Sequence, residues 1–310
     1  MNPTDKSYLY AGLAVLLWST VATSFKLGLS ELDFIQLIFY ASATSVVVLF
    51  IILLLQNKVK LLAHQSRNQW LNSLALGAFN PLFYYLVLFK AYSLLPAQLA
   101  QPLNMVWPIV LTLLSVPLLG QKIGRWSIAG LLISFAGVVF ISSQGGLKGF
   151  QNTSLTGVML ALGSSVFWSL YWILNVRDNR DDVIKLFLNF LFGLLFLTVV
   201  MYFFSDFNVR PGKGLYAAIY VGIFEVGVTY VFWMKAMKLS TNNARIGNLV
   251  FLTPFISFIF IRFILKETLF ITTFIGLAFI VAGIFVQKFD KKKYSRRLVG
   301  NKTKTIENRR

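Results

Sequence analysis

Cysteine is absent from this 310-residue chain, and histidine occurs once, at His64. The first absence removes disulfides, thiolate nucleophiles and cysteine-ligated metals. The second leaves no convergent imidazoles for a metal site, and His64, in a polar connector, reads as a solvated residue. Charge is also scarce. Only 13% of residues are Asp, Glu, Lys or Arg, against roughly 25% in a soluble chain. Acidic residues are the rarer kind, 11 against 29 basic ones. With 57% hydrophobic residues, the composition fits a chain whose solvent is largely lipid, and the expected class is an all-α polytopic membrane protein. An intramembrane enzyme needs a nucleophile with its base, or a ligated metal, at depth. Neither set is present, so no catalytic residue, cofactor or metal is expected. No phosphate-cradling Gly-rich loop ending in Lys-Ser/Thr is present either, so ATP hydrolysis by this chain is not expected.

The net charge of +18 could suggest nucleic acid, but its distribution does not. Basic residues gather in short connectors and in the tail, which holds Lys291-Lys292-Lys293 and Arg296-Arg297. Clusters of this kind beside a span attract anionic lipid headgroups. The expected partners are therefore a small-molecule substrate and the bilayer, not nucleic acid. Residues 291–310 are too polar to pack a core and read as a disordered basic cytoplasmic tail. The first apolar run is long enough to span and has no small-residue cleavage site behind it, so no cleavable signal is expected.

A span needs about 20 mostly apolar residues. Ten stretches qualify: 8–29, 34–55, 70–89, 94–119, 126–142, 155–176, 183–204, 214–237, 244–265 and 269–288. If both termini are cytoplasmic, the inner connectors hold Lys58, Lys60, Arg67, Lys122, Arg125, Arg177, Arg180, Lys185, Lys238 and Arg245. The outer ones hold Lys90, Lys148, Arg210, Lys213 and Lys266. That bias sets the orientation, in a multi-pass protein of the plasma membrane.

The two halves of the chain echo each other. Trp18-Ser19 has a counterpart in Trp168-Ser169, and Lys90-Ala91 in Lys235-Ala236. Tyr85 pairs with Tyr230, Pro108 with Pro254, and Gly130 and Gly137 with Gly276 and Gly283. One repeat covers 1–150 and the second 151–290. Each has five spans, and because five is odd the second enters the membrane inverted. Inverted repeats are the architecture of transporters with a substrate site near the midplane. The expected fold is thus ten transmembrane helices as two inverted five-helix repeats around a central cavity.

Several residues are candidates for that cavity. Seven residues turn a helix by about 700°, so each glycine pair lies on nearly one face; such a strip lets helices pack closely in lipid. Gly130, Gly137, Gly276 and Gly283 therefore read as packing positions, within a monomer or between the protomers of a homodimer. Trp18, Trp107 and Trp168 fall well inside spans, whereas membrane tryptophans usually sit at interfaces. They read either as packing core or as a cavity wall, which Tyr84, Tyr85, Tyr230 and Trp233 would extend. Gln98, Gln101 and Asn104 share one helix face and should meet protein or water rather than lipid. Asn80 and Asn248 could join them. Such amides bond neighbouring helices, or donate to a carboxylate and accept from an amine. Pro108 removes a backbone hydrogen bond from the fourth span, which is tolerated beside a cavity. Glu225 is the one carboxylate in the middle of a span, a functional hypothesis by default. It reads as a proton carrier, a counter-ion for a substrate amine, or a structural hydrogen-bonding group, and Asn80 occupies its place in the first repeat. Lys26, Arg262, Lys235 and Arg245 lie near span ends and are expected to snorkel.

These residues resemble the drug/metabolite transporter superfamily in its EamA-domain branch. Leu17-Trp18-Ser19-Thr20, Leu103-Asn104-Met105-Val106-Trp107-Pro108 and Gly120-Gln121-Lys122 are closer still to aromatic amino acid exporters of the YddG type. The resemblance covers residues 8–288. It implies a basket of ten helices and secondary active export of small metabolites, with Trp18, Trp107 and Trp168 lining the cavity. Asn104 matches the amide of the family's Asn-Tyr-x-Trp-Pro motif, in which Met105 here replaces the tyrosine. The usual Gly-Glu turn reads Gly120-Gln121, while the second half keeps Lys266-Glu267. Glu225 matches no family acid. The reading is a non-enzymatic exporter of amino acids, aromatic or otherwise apolar. Uptake, other amines, drugs or sugars, and a lipid-flipping subunit are the alternatives. The orientation is checked directly by fusing green fluorescent protein after Arg310: a cytoplasmic C-terminus predicts a fluorescent fusion, and a dark but inserted one would reverse the topology.

Overall fold

The computed structural model describes residues 3–119, 124–176, 178–239, 249–286 and 289. The helices are α1 (Pro3–Leu29), α2 (Phe34–Leu55), α3 (Arg67–Leu94), α4 (Ala97–Asn104), α5 (Trp107–Leu119) and α6 (Arg125–Ser142). They continue as α7 (Leu155–Val176), α8 (Asp182–Phe204), α9 (Lys213–Met237), α10 (Leu249–Ile264) and α11 (Ile271–Val286). A single helical turn and a half, Leu147–Asn152, joins α6 to α7. Among the described residues there is no strand, as lipid demands of an open chain, since only a helix satisfies its own backbone. Among the described residues six helices are long and apolar enough to cross a membrane by themselves: α1, α2, α3, α7, α8 and α9.

The chain divides into two compact units, and both draw on both halves of the sequence. The first joins Met1–Asn104 to Ser154–Leu269, and the second joins Met105–Thr153 to Phe270–Arg310. The boundary falls inside the expected fourth span, which is not one helix. Asn104 ends α4, Met105 and Val106 form a turn, and Trp107 starts α5. Pro108 therefore stands in the first turn of a new helix, where no N–H is required, and does not kink an old one.

Within the first unit, polar caps fix the helix ends. The Asp33 carboxylate accepts from Ile35 N (2.7 Å) and Gln36 N (2.8 Å), and Gln36 returns a bond to Asp33 N. Ser66 and Gln69 close the same reciprocal box at the start of α3. Each such cap is worth about 1 kcal/mol. In the middle of this unit two helices are loosened. α3 widens to π-type turns over Ala78–Phe83, where Asn80 leaves helical geometry altogether (φ −147°, ψ 115°) ahead of Pro81. α9 widens over Gly222–Gly227, around Glu225. Such bulges gather at functional sites because they free backbone groups. They occur here at the two positions paired by the sequence repeat.

Close crossings hold the loosened turns. A Cβ at Gly77 of α3 would stand 2.5 Å from the Asn189 carbonyl of α8, and one at Gly193 of α8 would strike the Pro81 ring. A Cβ at Gly222 would stand 2.5 Å from the Ala41 carbonyl of α2, and the Ser45 hydroxyl donates to Gly222 O (2.9 Å). In the second unit, α6 and α11 meet through glycine. A Cβ at Gly137 would lie 2.5 Å from Gly276 O, and one at Gly276 equally close to Gly137 O. One at Gly283 would strike Gly130 O and the Ser134 side chain. Gly137→Ala should therefore destabilise the purified protein by about 1–3 kcal/mol through overpacking. Gly163→Ala, with nothing within 4 Å of its Cβ, should be neutral or slightly stabilising by helix propensity. Thermal unfolding in detergent separates the two; equal Tm values would refute the close crossing.

Candidate functional site

Four helices of the first unit place aromatic rings around Glu225. Glu225 sits on the widened turn of α9, half-buried, and accepts a hydrogen bond from the Tyr85 hydroxyl of α3 at 2.9 Å. The Trp18 indole N–H of α1 donates to the Glu225 backbone carbonyl at 3.1 Å, meeting an oxygen that a π-type turn exposes. Trp18 packs on Tyr230 edge to face (centroids 6.0 Å) and on Trp233 (5.3 Å). From α7, Trp168 stacks on Tyr84 (4.7 Å, 29°) and meets the edge of Tyr230 (6.2 Å). Tyr84 and Tyr85 are themselves in contact at 4.7 Å. The result is a cage of indole and phenol faces with one carboxylate in its wall.

Exposure separates the cage from ordinary packing. Tyr85 and Tyr230 are buried, but Trp18, Trp168, Trp233 and Glu225 each keep part of their surface open, all but Trp233 near the middle of a long helix. Aromatic faces present a negative quadrupole to a cation, worth about 2 kcal/mol when desolvated, and stack on flat or apolar groups. A carboxylate can in addition accept from an ammonium or hold a proton.

The amide row of α4 is anchored at both ends. At its start the Glu267 carboxylate accepts from Ala97 N (2.9 Å) and Gln98 N (3.2 Å), taking up two N–H groups that a helix leaves unpaired. Gln98 Nε2 donates to Thr268 O (2.6 Å). At its end Asn104 Nδ2 donates to the Ser164 hydroxyl of α7 (2.8 Å), and Asn104 Oδ1 accepts from Tyr84 at 3.4 Å. Gln101 is buried with Oε1 unpartnered. Asn104 thus reaches the cage through Tyr84, whereas Gln98 faces the connector after α10.

Of the expected site residues, the first unit brings together Trp18, Tyr85, Asn104, Trp168, Glu225 and Tyr230 through direct contacts or one intervening ring. Gln101 lies on α4 with its Oε1 unpartnered, and Trp107 opens α5 in the second unit. Asn248, Arg245, Gly120, Gln121 and the basic tail lie outside the described residues. Lys26 is tied to the far end of α3. Its ammonium donates to Tyr92 O (2.9 Å) and Leu95 O (3.1 Å), capping the end of α3 where carbonyls lack partners. Lys235 lies over the Tyr10 ring at 5.6 Å. Ser164 and Glu267 are the partners that sequence reasoning did not find. Ser164 lies one helical turn before Trp168 on the same face of α7, the signal that was there to read.

The EamA-like transporter family matches the chain twice, over residues 5–143 and 155–287. An uncharacterized transporter of Archaeoglobus fulgidus is 26% identical over 91% of this chain and 97% of its own length. The uncharacterized transporter YvbV of Bacillus subtilis is 22% identical over 96% of each chain. The aromatic amino acid exporter YddG of Ancylobacter novellus is 28% identical, over 54% of this chain and 58% of its own. A solved crystal structure shares the fold at a TM-score of 0.63, with 22% identity, over 95% of this chain and 99% of that one. With both repeats matched, six apolar spans and an all-helical fold, the chain belongs to the EamA-like transporter family and is a multi-pass membrane protein.

Proposed function

We propose that this chain is a secondary active exporter of amino acids, aromatic or otherwise apolar, working in the plasma membrane with both termini in the cytoplasm. Ten spans in two inverted five-helix repeats would rock about a midplane site to give alternating access. The observation that carries the reading is the aromatic cage with Glu225 in its wall. Similarity over half the chain to a relative named an aromatic amino acid exporter points the same way.

In this scheme Trp18, Tyr85, Trp168 and Tyr230 hold the apolar side chain. Asn104 and Gln101 offer amide groups to the substrate's carboxylate. Glu225, oriented by Tyr85, takes the ammonium. A proton and an ammonium compete for the same carboxylate. A carrier that must be loaded with one or the other before it turns over exchanges them, so an inward proton gradient drives substrate outward.

Purified protein in liposomes, given a panel of labelled amino acids, amines and sugars with and without a pH gradient, tests this. Apolar amino acids should accumulate against their gradient only when the pH gradient opposes them. Flux of sugars but not amino acids would overturn the substrate class. Glu225→Gln should abolish pH-driven accumulation and weaken substrate binding about 10–100-fold, the worth of a charge-assisted bond of about 1.5–3 kcal/mol. An unchanged pH profile in that variant would remove Glu225 from the mechanism.

A further inference from the structure

Beside the cage lies a second polar group that this scheme leaves unused. On α7, Trp168, Tyr171 and Asn175 recur at i, i+3 and i+7, one helix face, and the face runs on to Asp178 in the connector. Asn80 reaches this face from the unwound turn of α3, and Asn189 from α8, brought together by the Gly77–Gly193 crossing. Asn80, Asn175 and Asn189 come close enough to the Tyr171 hydroxyl to interact with it, but none meets it at a good hydrogen-bonding angle and distance. Both amide atoms of Asn80 and of Asn189, Asn175 Oδ1, and the hydroxyls of Tyr171 and Tyr230 have no partner. Asn80, Asn189 and Tyr171 are 0% exposed. A buried unsatisfied polar group costs about 1–3 kcal/mol, and native cores hold few of them. A packed wall would be served better by leucine.

Toward the surface the same seam ends in an ion pair. Arg180 and Asp178 stand 2.5 Å apart with side chains 5% and 4% exposed. Arg180 also donates to the Ser73 hydroxyl (2.8 Å) and to Gln65 (3.3 Å), while Asn72 Nδ2 donates to Asp178 (2.9 Å). These bonds pin the α7–α8 connector to the start of α3. Beyond them opens a cleft of about 410 Å3 lined by Asn68, Gln69, Asn72, Asp178, Asn179 and Arg180. Burial pushes the Asp178 carboxyl up, but hydrogen bonds and charge from Arg180, with Lys185 adding to them, outweigh it and hold it below its ordinary 3.8. A depressed carboxyl contributes its stabilisation above the unfolded value and loses it only as pH falls through the folded one. The pair is therefore intact throughout the neutral range.

We infer that the Asn80–Tyr171–Asn175–Asn189 cluster is a second binding station of the transport route, hydrated when open, which receives the hydrogen-bonding head of a small polar solute. The bonds by which the paired Asp178 and Arg180 hold Ser73, Gln65 and Asn72 are the lock that shuts it from the cleft. Its carboxamides and phenols both donate and accept and carry no charge. They can greet an ammonium or a carboxylate alike and hold neither tightly, as a way-station must. This rests on the family's transport function and not on the choice of amino acids as substrate.

The chain's lack of cysteine makes the test direct. Single variants Asn175→Cys and Asn189→Cys, with Leu76→Cys as a fully buried apolar control, are exposed in sealed vesicles of each sidedness to a charged, membrane-impermeant methanethiosulfonate reagent. Such a reagent needs a thiolate in contact with water. Both asparagine positions should label from the face that carries the lock, and at least tenfold faster once Arg180→Gln is added. Leu76→Cys should stay unlabelled. Because Arg180→Gln strands a buried carboxylate, the combined variant Ser73→Ala, Gln65→Ala and Asn72→Ala, which removes the bonds to the start of α3 but keeps the ion pair, should give the same acceleration. Asparagine positions that label no faster than Leu76→Cys in these folded, monodisperse backgrounds would overturn the proposal. So would labelling from the opposite face only. Neither result depends on which solute the protein carries.

Discussion

The hydrogen bond from the Trp18 indole to the Glu225 carbonyl exists because α9 is not a regular helix at that point. In hydrocarbon an unpaired carbonyl costs several kcal/mol, so a helix may loosen only where another group takes up the freed oxygen. α1 supplies that group. The same turn carries the Glu225 side chain toward Tyr85, so one local departure from helical geometry yields both a backbone contact to α1 and a carboxylate contact to α3. The rings of Trp168, Tyr84 and Tyr230 then have something to enclose. Were α9 a continuous helix, Glu225 would be a charge with no orienting partner.

α3 departs from the helix at the matching place, and the outcome is different. Asn80 stands where the repeat puts Glu225, but its amide finds no partner, nor does that of Asn189 across the glycine crossing. The two loosened turns thus offer an ionisable, oriented group on one side and neutral amides on the other. That division suits a route in which a solute is held at one point and passed at the next. Around both, the connectors are firmly tied: Glu267 caps α4, Lys26 caps α3, and Arg180 binds Ser73. The soft elements lie at mid-helix and the rigid ones at the ends.

Much of this was legible in the chain itself. Long apolar runs mark α1, α2, α3, α7, α8 and α9 because the 30 Å hydrocarbon layer sets their length. The heptad glycines mark the α6–α11 crossing, and a lone mid-span carboxylate marks Glu225. Other features were out of reach for a physical reason. The break at Met105–Val106 carries no breaker of its own; Pro108 pointed to it but belongs to the following helix, where it is tolerated at no cost. Lys26 looked like any terminal lysine, since its acceptors are carbonyls 66 and 69 residues away. The cluster at Tyr171 comes from α3, α7 and α8, and each asparagine alone is what any pair of membrane helices uses as a link. Only the backbone crossing brings all three to one hydroxyl.

The central claim is that the cage is where the solute binds, and binding can be measured apart from transport. Equilibrium binding of a labelled apolar amino acid to the detergent-purified protein should be saturable. Trp168→Ala should raise its Kd at least tenfold, about 1.4 kcal/mol of lost stacking, in protein that remains folded and monodisperse. Equal affinity in wild type and variant, both folded, would place the substrate elsewhere.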